Sequence, residues 1–248
     1  MGATPSLEEL WASAKPSAHA SAPSTAGSVP DAARRYLDHA LGSGRADASA
    51  ARLRMQGEIK LDRWLPFEAE EVIHADRGMV WEAAVKKGRL TIRGYDRLVD
   101  GRGAMKWRML GLVPVMSAAG PDVTRSAAGR FAAELIWLPS ALGRSPVRWS
   151  AEGPNAAVAH VPVGRERVDL HLRIADTGAL ESMSLLRWGN PGAGAYRHVR
   201  FGGVVERQGT FQGLTIPTKL RVGWHFGTER FDDEGQFFRV DIEHAAYR

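Results

Sequence analysis

The chain has 248 residues, a formal net charge of +5 and 44% hydrophobic residues, enough to bury one large core or two modest ones. It has no cysteine, which excludes disulfides, thiolate metal sites and cysteine nucleophiles. No apolar run is long enough for a membrane-spanning helix, and the basic residues alternate with acidic ones instead of clustering as in nucleic-acid-binding modules. We therefore expect no nucleic-acid partner and no stable membrane insertion.

The domain organisation is predicted to be simple. Residues 1–28 are expected to form a mobile N-terminal segment and linker, because most of this stretch is Ser, Ala and Pro. Within it, Ser6 is a suitable N-cap for two helical turns that end near Ala14. The chain start lacks the basic and apolar stretches of an export signal, which predicts a cytoplasmic location. Residues 29–248 are expected to form a single β-rich domain.

Most of this domain has the hydrophobic pattern of strands. A helix is predicted near residues 30–42, with Pro30 in its first turn and Gly42 at its end. From Arg52 the period of the pattern changes to two, which is typical of strands with one buried face. Twelve strands are predicted, at about 52–61, 66–75, 79–86, 90–98, 105–116, 147–151, 156–161, 167–175, 180–188, 197–208, 218–226 and 237–244. The short turns between them favour an antiparallel meander.

A second helix is predicted in the middle of the chain, near residues 121–138, with Pro139 ending it. Arg130 and Glu134 are four residues apart, so their side chains share one face of this helix with Trp137. The adjoining face carries an apolar stripe of Phe131, Leu135 and Leu138. An ion pair and an indole are therefore expected at the edge of a core.

These elements predict a mainly β fold with a few helices. The expected architecture is a large curved antiparallel sheet, or unclosed β-barrel, with helices packed on the concave face. The apolar residues at every second position of many strands would line that face. If the helices leave part of it uncovered, a hydrophobic cavity remains.

Several spaced motifs between about residues 29 and 245 point to a family resemblance. They are Val29–Leu41, Gln56–Ile59, Trp64–Ala69, Met79–Ala83, Gly94–Asp96, Asp100–Met105, Arg130 with Glu134–Pro139, Trp149, Gly213–Pro217 and Trp224. Together they resemble the uncharacterised bacterial domain-of-unknown-function family 6544, which has no assigned activity. The order of strands around a mid-chain helix is also similar to that of bacterial lipoprotein-carrier proteins. That resemblance implies an unclosed β-barrel around an apolar cavity lidded by helices.

Three charged residues are candidates for catalysis: Asp96, Arg130 and Glu134. Asp96 is an even number of residues from the apolar residues of its strand, so its side chain shares their parity and points to the same face. Its carboxylate is therefore expected on the buried face. A carboxylate there needs a partner such as Arg130, or its pKa is raised. Alternatively, Asp96 anchors the neighbouring turn, and Arg130 and Glu134 form an ordinary surface pair. If Asp96 and Glu134 both face the cavity, general acid and base catalysis without a metal becomes possible.

The chain is rich in tryptophan, with eight residues of this type. Ordinary core packing accounts for many of them, but some can line a pocket for a flat ligand. The candidate ligand-binding residues are Trp81, Trp137, Trp149, Trp224 and Tyr95. The sequence has neither the histidine spacing of a helical zinc site nor a nucleotide, phosphate or nucleophile-elbow motif, so we expect no metal and no cofactor.

Two functions follow from this architecture. The first is binding of an apolar or amphipathic small molecule in the cup of the sheet. The second is a cofactor-independent acid–base enzyme, such as a cyclase, isomerase or hydrolase, that acts on a hydrophobic substrate in the same cup. A structural or interaction module would instead have the cup filled by side chains. Whether the protein is an enzyme, which ligand it takes and its oligomeric state stay open at this point.

Overall fold

One antiparallel sheet of 13 strands forms most of the protein in the computed structural model, which describes residues 5–15, 29–42, 47–192 and 194–248. The strands are β1 (Ala50–Lys60), β2 (Trp64–His74), β3 (Gly78–Lys87), β4 (Leu90–Val99), β5 (Arg102–Met109), β6 (Val113–Ala119), β7 (Arg148–Gly153), β8 (Ala156–Val163), β9 (Glu166–Ile174), β10 (Leu180–Gly189), β11 (Arg197–Phe211), β12 (Leu214–Trp224) and β13 (Gln236–Tyr247). Their spatial order is β6-β5-β4-β3-β2-β1-β13-β12-β11-β10-β9-β8-β7. The sheet is open, with β6 and β7 at its two edges.

The path of the chain follows from this order. The helices are α1 (Leu7–Ala12), α2 (Asp31–Leu41), α3 (Pro121–Glu134) and α4 (Pro139–Leu142). Strands β1 to β6 run as hairpins from the centre of the sheet to one edge, and α3 connects that edge to β7 at the other. Strands β7 to β13 then return to the centre, where β13 pairs with β1. The predicted mainly β fold with an open sheet and few helices is confirmed.

The two faces of the sheet are covered differently. Helices α2, α3 and α4 pack on one face, which we call the inner face, and their apolar side chains join the main core. Helix α1 packs on the other, outer face, where Leu7 and Leu10 contact valines of β2, β3 and β4. Ser6 caps α1 as predicted, but this part of the expected mobile segment is packed on the sheet. Residues 16–28, which belong to the predicted linker, lie outside the described residues.

Two predicted elements differ from the structure. The strand predicted at 105–116 is a hairpin, β5 and β6, whose turn places Leu110 and Gly111 at positive φ. Leucine is an uncommon residue in that region, so Leu110 itself gives no sequence signal for a turn. The mid-chain helix ends at Glu134 and continues as a 3-10 turn over Leu135–Trp137. Pro139 then starts α4, because a residue without an N–H fits the first turn of a helix.

None of the helices within the described ranges is both long and apolar enough to cross a membrane.

Candidate functional site

A cavity of about 300 Å³ lies between α3 and the inner face of the sheet. Part of its lining comes from β1, β13, β12 and β10, which present the apolar side chains of Ile59, Phe238, Val222 and Met183. The rings of Trp81, Trp137, Phe201, Trp224 and Phe237 also line it. The cavity is therefore an apolar space with a few charged groups in its walls.

One wall carries a row of cross-strand neighbours on β2, β3 and β4. Glu71 is paired in register with Trp81, and Trp81 with Asp96. Residues in register on adjacent antiparallel strands point to the same face, so both carboxyl groups lie on the inner face with an indole between them. Helix α3 packs over this row and brings Arg130 and Glu134 next to it. Two elements that are distant in sequence thus build one charged cluster.

Arg130 is the centre of this cluster. Its Nε donates to Glu134 Oε1 at 2.5 Å and its Nη1 donates to Asp96 Oδ2 at 2.9 Å, while Nη2 lies 3.8 Å from Glu71 Oε1. The guanidinium also lies 4.9 Å above the ring of Trp81. Burial lowers the pKa of Arg130, but attraction to Glu134, Asp96 and Glu71 more than offsets this, so its pKa is raised overall. Arg130 keeps its positive charge.

Glu71 is the most deeply buried charged residue of the cluster, with a side chain that is 0% exposed. Neither of its carboxyl oxygens accepts a hydrogen bond from a described donor, and Glu134 Oε2 is in the same situation. Burial and repulsion by Glu134 raise the pKa of Glu71 well above 4.5, against the opposing attraction of Arg130. Glu71 therefore releases its proton at a higher pH than an ordinary glutamic acid.

Asp96 is held by a different set of donors. Besides Arg130, the indole Nε1 of Trp107 donates to Asp96 Oδ1 at 2.9 Å. Trp107 reaches this position because its partner in the next strand is Gly94, where an added Cβ would lie only 2.5 Å from the indole. Both carboxylate oxygens of Asp96 thus accept a hydrogen bond from a neighbouring side chain.

A second arginine, Arg187 of β10, lines another wall of the cavity. Its Nε donates to the Ser126 carbonyl at 3.1 Å and its Nη2 to Ser126 Oγ at 3.4 Å. Its guanidinium lies 4.7 Å from the ring of Phe201 and 5.2 Å from that of Trp224. Burial, and repulsion by Arg130, lower its pKa to about 10. It still carries its charge at neutral pH.

The structure brings together most of the residues that the sequence singled out. Those that line the cavity are Asp96, Arg130, Glu134, Trp81, Trp137 and Trp224. Trp137 is also tied to the core, since its indole donates to the Pro217 carbonyl at 3.0 Å. The sequence-based expectation that Asp96 pairs with Arg130 on the buried face of its strand agrees with this geometry.

Two predicted ligand-binding residues are not among those that line the cavity. Tyr95 follows the parity opposite to Asp96 and lies on the outer face, with the Arg97 guanidinium 4.8 Å from its ring. Alternation along a strand requires this, because neighbouring side chains point to opposite faces. Trp149 of β7 packs 6.4 Å from the ring of Tyr36 and donates to the Leu142 carbonyl, under α2 and α4.

Sequence reasoning missed Glu71 and Arg187. The signal for Glu71 was present, since it shares parity with Phe67, Ala69 and Ile73, all of which are buried. Arg187 likewise shares parity with Met183 and Leu185 in β10. Glu71, Asp96 and Arg187 are thus charged residues at strand positions that the alternation assigns to the buried face. Of the three, only Asp96 was predicted as a site residue.

Across the described ranges, no group of three or more His, Asp or Glu side chains is placed to hold a metal ion. The cavity lining offers guanidinium groups, carboxyl groups and aromatic rings.

Comparisons with solved structures give remote likenesses. A candidate outer membrane lipoprotein-sorting protein domain from Vibrio parahaemolyticus has a TM-score of 0.44 and 8% identity, covering 88% of this chain and 91% of that one. A LolA superfamily protein from Nitrosomonas europaea has a TM-score of 0.43 and 7% identity, covering 88% and 92%. TM-scores this low carry no functional argument for this chain.

Sequence comparison corrects the family. No curated protein matches the chain. The family profile that matches residues 27–247 is not that of family 6544. The spaced motifs had indicated family 6544. Motifs of a few residues each are too short to identify a family by themselves. Because the match spans most of the chain, the protein belongs to the family of unknown function DUF6920.

Proposed function

We propose that the protein binds an apolar or amphipathic small molecule in the cavity between α3 and the inner face. One observation carries this proposal: a space of about 300 Å³ with apolar and aromatic walls remains between the helices and the sheet. This volume lies at the lower end of the range of small-molecule sites. A space of this size lined by aliphatic and aromatic side chains favours an apolar ligand, because such a ligand removes its own surface and that of the walls from water.

The aromatic walls favour a flat or chain-like ligand body. Phe201, Trp224 and Phe237 form one aromatic group, with ring centroids 5.2 to 6.3 Å apart. Trp81 and Phe238 form a second one, 6.0 Å apart. A ligand between the two groups contacts ring faces on both sides, and aromatic faces contribute large contact areas with few rotatable bonds.

The neutral dye N-phenyl-1-naphthylamine tests this function, since it is apolar and fluoresces when it leaves water. We expect saturable binding, with energy transfer from the tryptophans that line the cavity. Ile59→Trp places an indole in the cavity from β1 and Val222→Phe adds a ring from β12. Both are expected to weaken dye binding at least about tenfold, because the added rings occupy the ligand's space.

Val115→Trp is the matched control. Val115 lies on edge strand β6 and is 48% exposed, so an indole there leaves the cavity unchanged. Circular dichroism and thermal unfolding establish that each variant is folded. If the folded Ile59→Trp and Val222→Phe variants bind the dye as the unmodified protein does, the cavity is not the binding site.

A second candidate function, acid–base catalysis, is favoured by the Glu71–Glu134 pair. Glu134 lines the cavity, and its Oε2 has no described donor but lies against a carboxyl group whose pKa is raised. A carboxyl group with a raised pKa, next to a second carboxyl group that lines an apolar cavity, can supply a proton for transfer to a bound substrate. In this version of the enzyme hypothesis Glu134 exchanges the proton, Glu71 stores it and Asp96 orients Arg130.

Deuterium exchange separates catalysis from binding. Native mass spectrometry of the purified protein identifies co-purified ligand, which is then incubated with the protein in D₂O. An enzyme that moves a proton to carbon is expected to incorporate deuterium into the ligand, and Glu134→Gln to abolish incorporation while retaining the ligand. Asp169→Asn, which changes an exposed carboxylate on β9, is the control. Incorporation at equal rates with and without protein would exclude this candidate for that ligand.

A further inference from the structure

We propose that the ligand is an amphipathic anion whose headgroup binds the Arg187 guanidinium while its apolar body occupies the cavity. This inference rests on the proposed binding function and names the chemical class of its ligand. The shared feature of the class is one carboxylate or phosphate group at the end of an apolar body.

The first argument is that Arg187 has donors left over. A guanidinium has five N–H groups in a fixed planar arrangement. Arg187 donates two of these N–H groups to Ser126, one from Nε and one from Nη2. Three N–H groups are left for another partner. The end of the guanidinium formed by Nη1 and Nη2 is the edge that binds a carboxylate or phosphate through two parallel hydrogen bonds.

The second argument is that the charge of Arg187 is unmatched. Within the described ranges, no carboxylate oxygen lies within 4.0 Å of its guanidinium nitrogens, the distance that defines an ion pair. Glu134 and Asp96 raise its pKa only through longer-range attraction. Their carboxylate contacts go instead to Arg130, which is paired with three acidic residues. Of the two cavity arginines, Arg187 is therefore the one able to accept an anion.

The third argument is where Arg187 lies. The rings of Phe201 and Trp224 flank its guanidinium, and both rings line the cavity. Helix α3 covers it closely, since a Cβ at Gly129 would lie 3.0 Å from Arg187 Cγ. An anion at Arg187 would thus sit at one side of an apolar space, in surroundings of lower dielectric constant than water. A charge-assisted hydrogen bond is stronger there than at the protein surface.

A competition experiment tests the proposal with three probes of one chain length. Dodecanoate, dodecyl phosphate and dodecanol are titrated against N-phenyl-1-naphthylamine bound to the full chain. We expect the two anions to compete at least about tenfold more tightly than the alcohol, the difference that one charge-assisted hydrogen bond supplies. The order of the two anions distinguishes a carboxylate from a phosphate headgroup.

Arg187→Gln is expected to abolish the preference for the two anions over dodecanol, and Arg187→Lys to restore part of that preference. Arg239→Gln is the matched control, because Arg239 also lies over an indole, 4.1 Å from the Trp64 ring, but on the outer face. Equal competition by dodecanol and dodecanoate in the unmodified protein would overturn the proposal, as would an anion preference that survives in Arg187→Gln. Absence of dye binding would instead contradict the binding function itself.

Discussion

Replacing Arg130 with leucine is expected to reduce the free energy of unfolding by about 3–5 kcal/mol at neutral pH. Arg130 is 17% exposed and pairs with Asp96 and Glu134 at 2.9 and 2.5 Å. Without it, these carboxylates and Glu71 face one another in a largely buried region with no cation in contact. Urea-induced unfolding, followed by tryptophan fluorescence, measures the loss. The loss should shrink as the pH falls, because protonation removes the repulsion between the carboxylates.

The chain contains a matched surface pair for comparison. Arg230 and Glu234 have the same i, i+4 spacing as Arg130 and Glu134, but their side chains are 58% and 59% exposed. We expect Arg230→Leu to leave the unfolding midpoint nearly unchanged. The double variant Arg130→Leu/Glu134→Gln should recover part of the stability, because it removes one of the uncompensated charges. A loss in Arg130→Leu no larger than that in Arg230→Leu would show that the guanidinium does not hold the cluster together.

The second large effect concerns pH. Because the pKa of Glu71 is raised in the folded protein, Glu71 keeps its proton at pH values where the unfolded chain has released it. The unfolded state then binds fewer protons than the folded state. Glu71 therefore lowers the free energy of unfolding as the pH rises from 4.5, the ordinary pKa of a glutamic acid, towards the raised pKa of Glu71 in the folded protein. Glu71→Gln removes this dependence. Above pH 4.5, and until the pH reaches the folded pKa of Glu71, we expect the variant to gain stability relative to the unmodified protein, by up to about 1.4 kcal/mol per pH unit.

The measurement is a series of urea unfolding curves across this pH range for both proteins. Glu70→Gln is the control, because Glu70 is the neighbouring residue but pairs with Arg52 and has a side chain that is 47% exposed. Subtracting the curve of the unmodified protein cancels the other titrating groups. If the difference between Glu71→Gln and the unmodified protein is constant with pH, Glu71 does not carry an extra proton in the folded state.

The alternation of polar and apolar residues was sufficient to predict the open sheet, because most strands have a buried face, with edge strands β6 and β7 as exceptions. It placed Asp96 on the inner face correctly, and the same rule contradicts the assignment of Tyr95 to the cavity. The turn at Leu110 and Gly111 was missed, because its positive φ angles include a leucine that gives no turn signal. Local patterns thus predict which face a residue takes, and fail where the backbone adopts a conformation unusual for its residue type.

The charged cluster could be predicted only in part. The spacing of Arg130 and Glu134 comes from one helix and is visible in the sequence. The pairing of Glu71 with Trp81, and of Trp81 with Asp96, depends on the register of three strands, and the position of α3 above them depends on the packing of the whole core. Nothing in the sequence around Arg187 indicates that it forms no ion pair with a described acidic residue, since that depends on Arg130 binding the nearby carboxylates.

The pairing of the first strand with the last has a consequence for biosynthesis. Strands β1 to β6 and β7 to β13 each consist of hairpins between sequence neighbours, but the sheet becomes continuous only when residues such as Ala51 and Tyr247 meet. Contacts between residues so far apart form late, because the loop that they close is long. The cavity spans this junction, with Ile59 on one side and Phe238 on the other. On the ribosome, the cavity is therefore expected to form only after strand β13 has emerged.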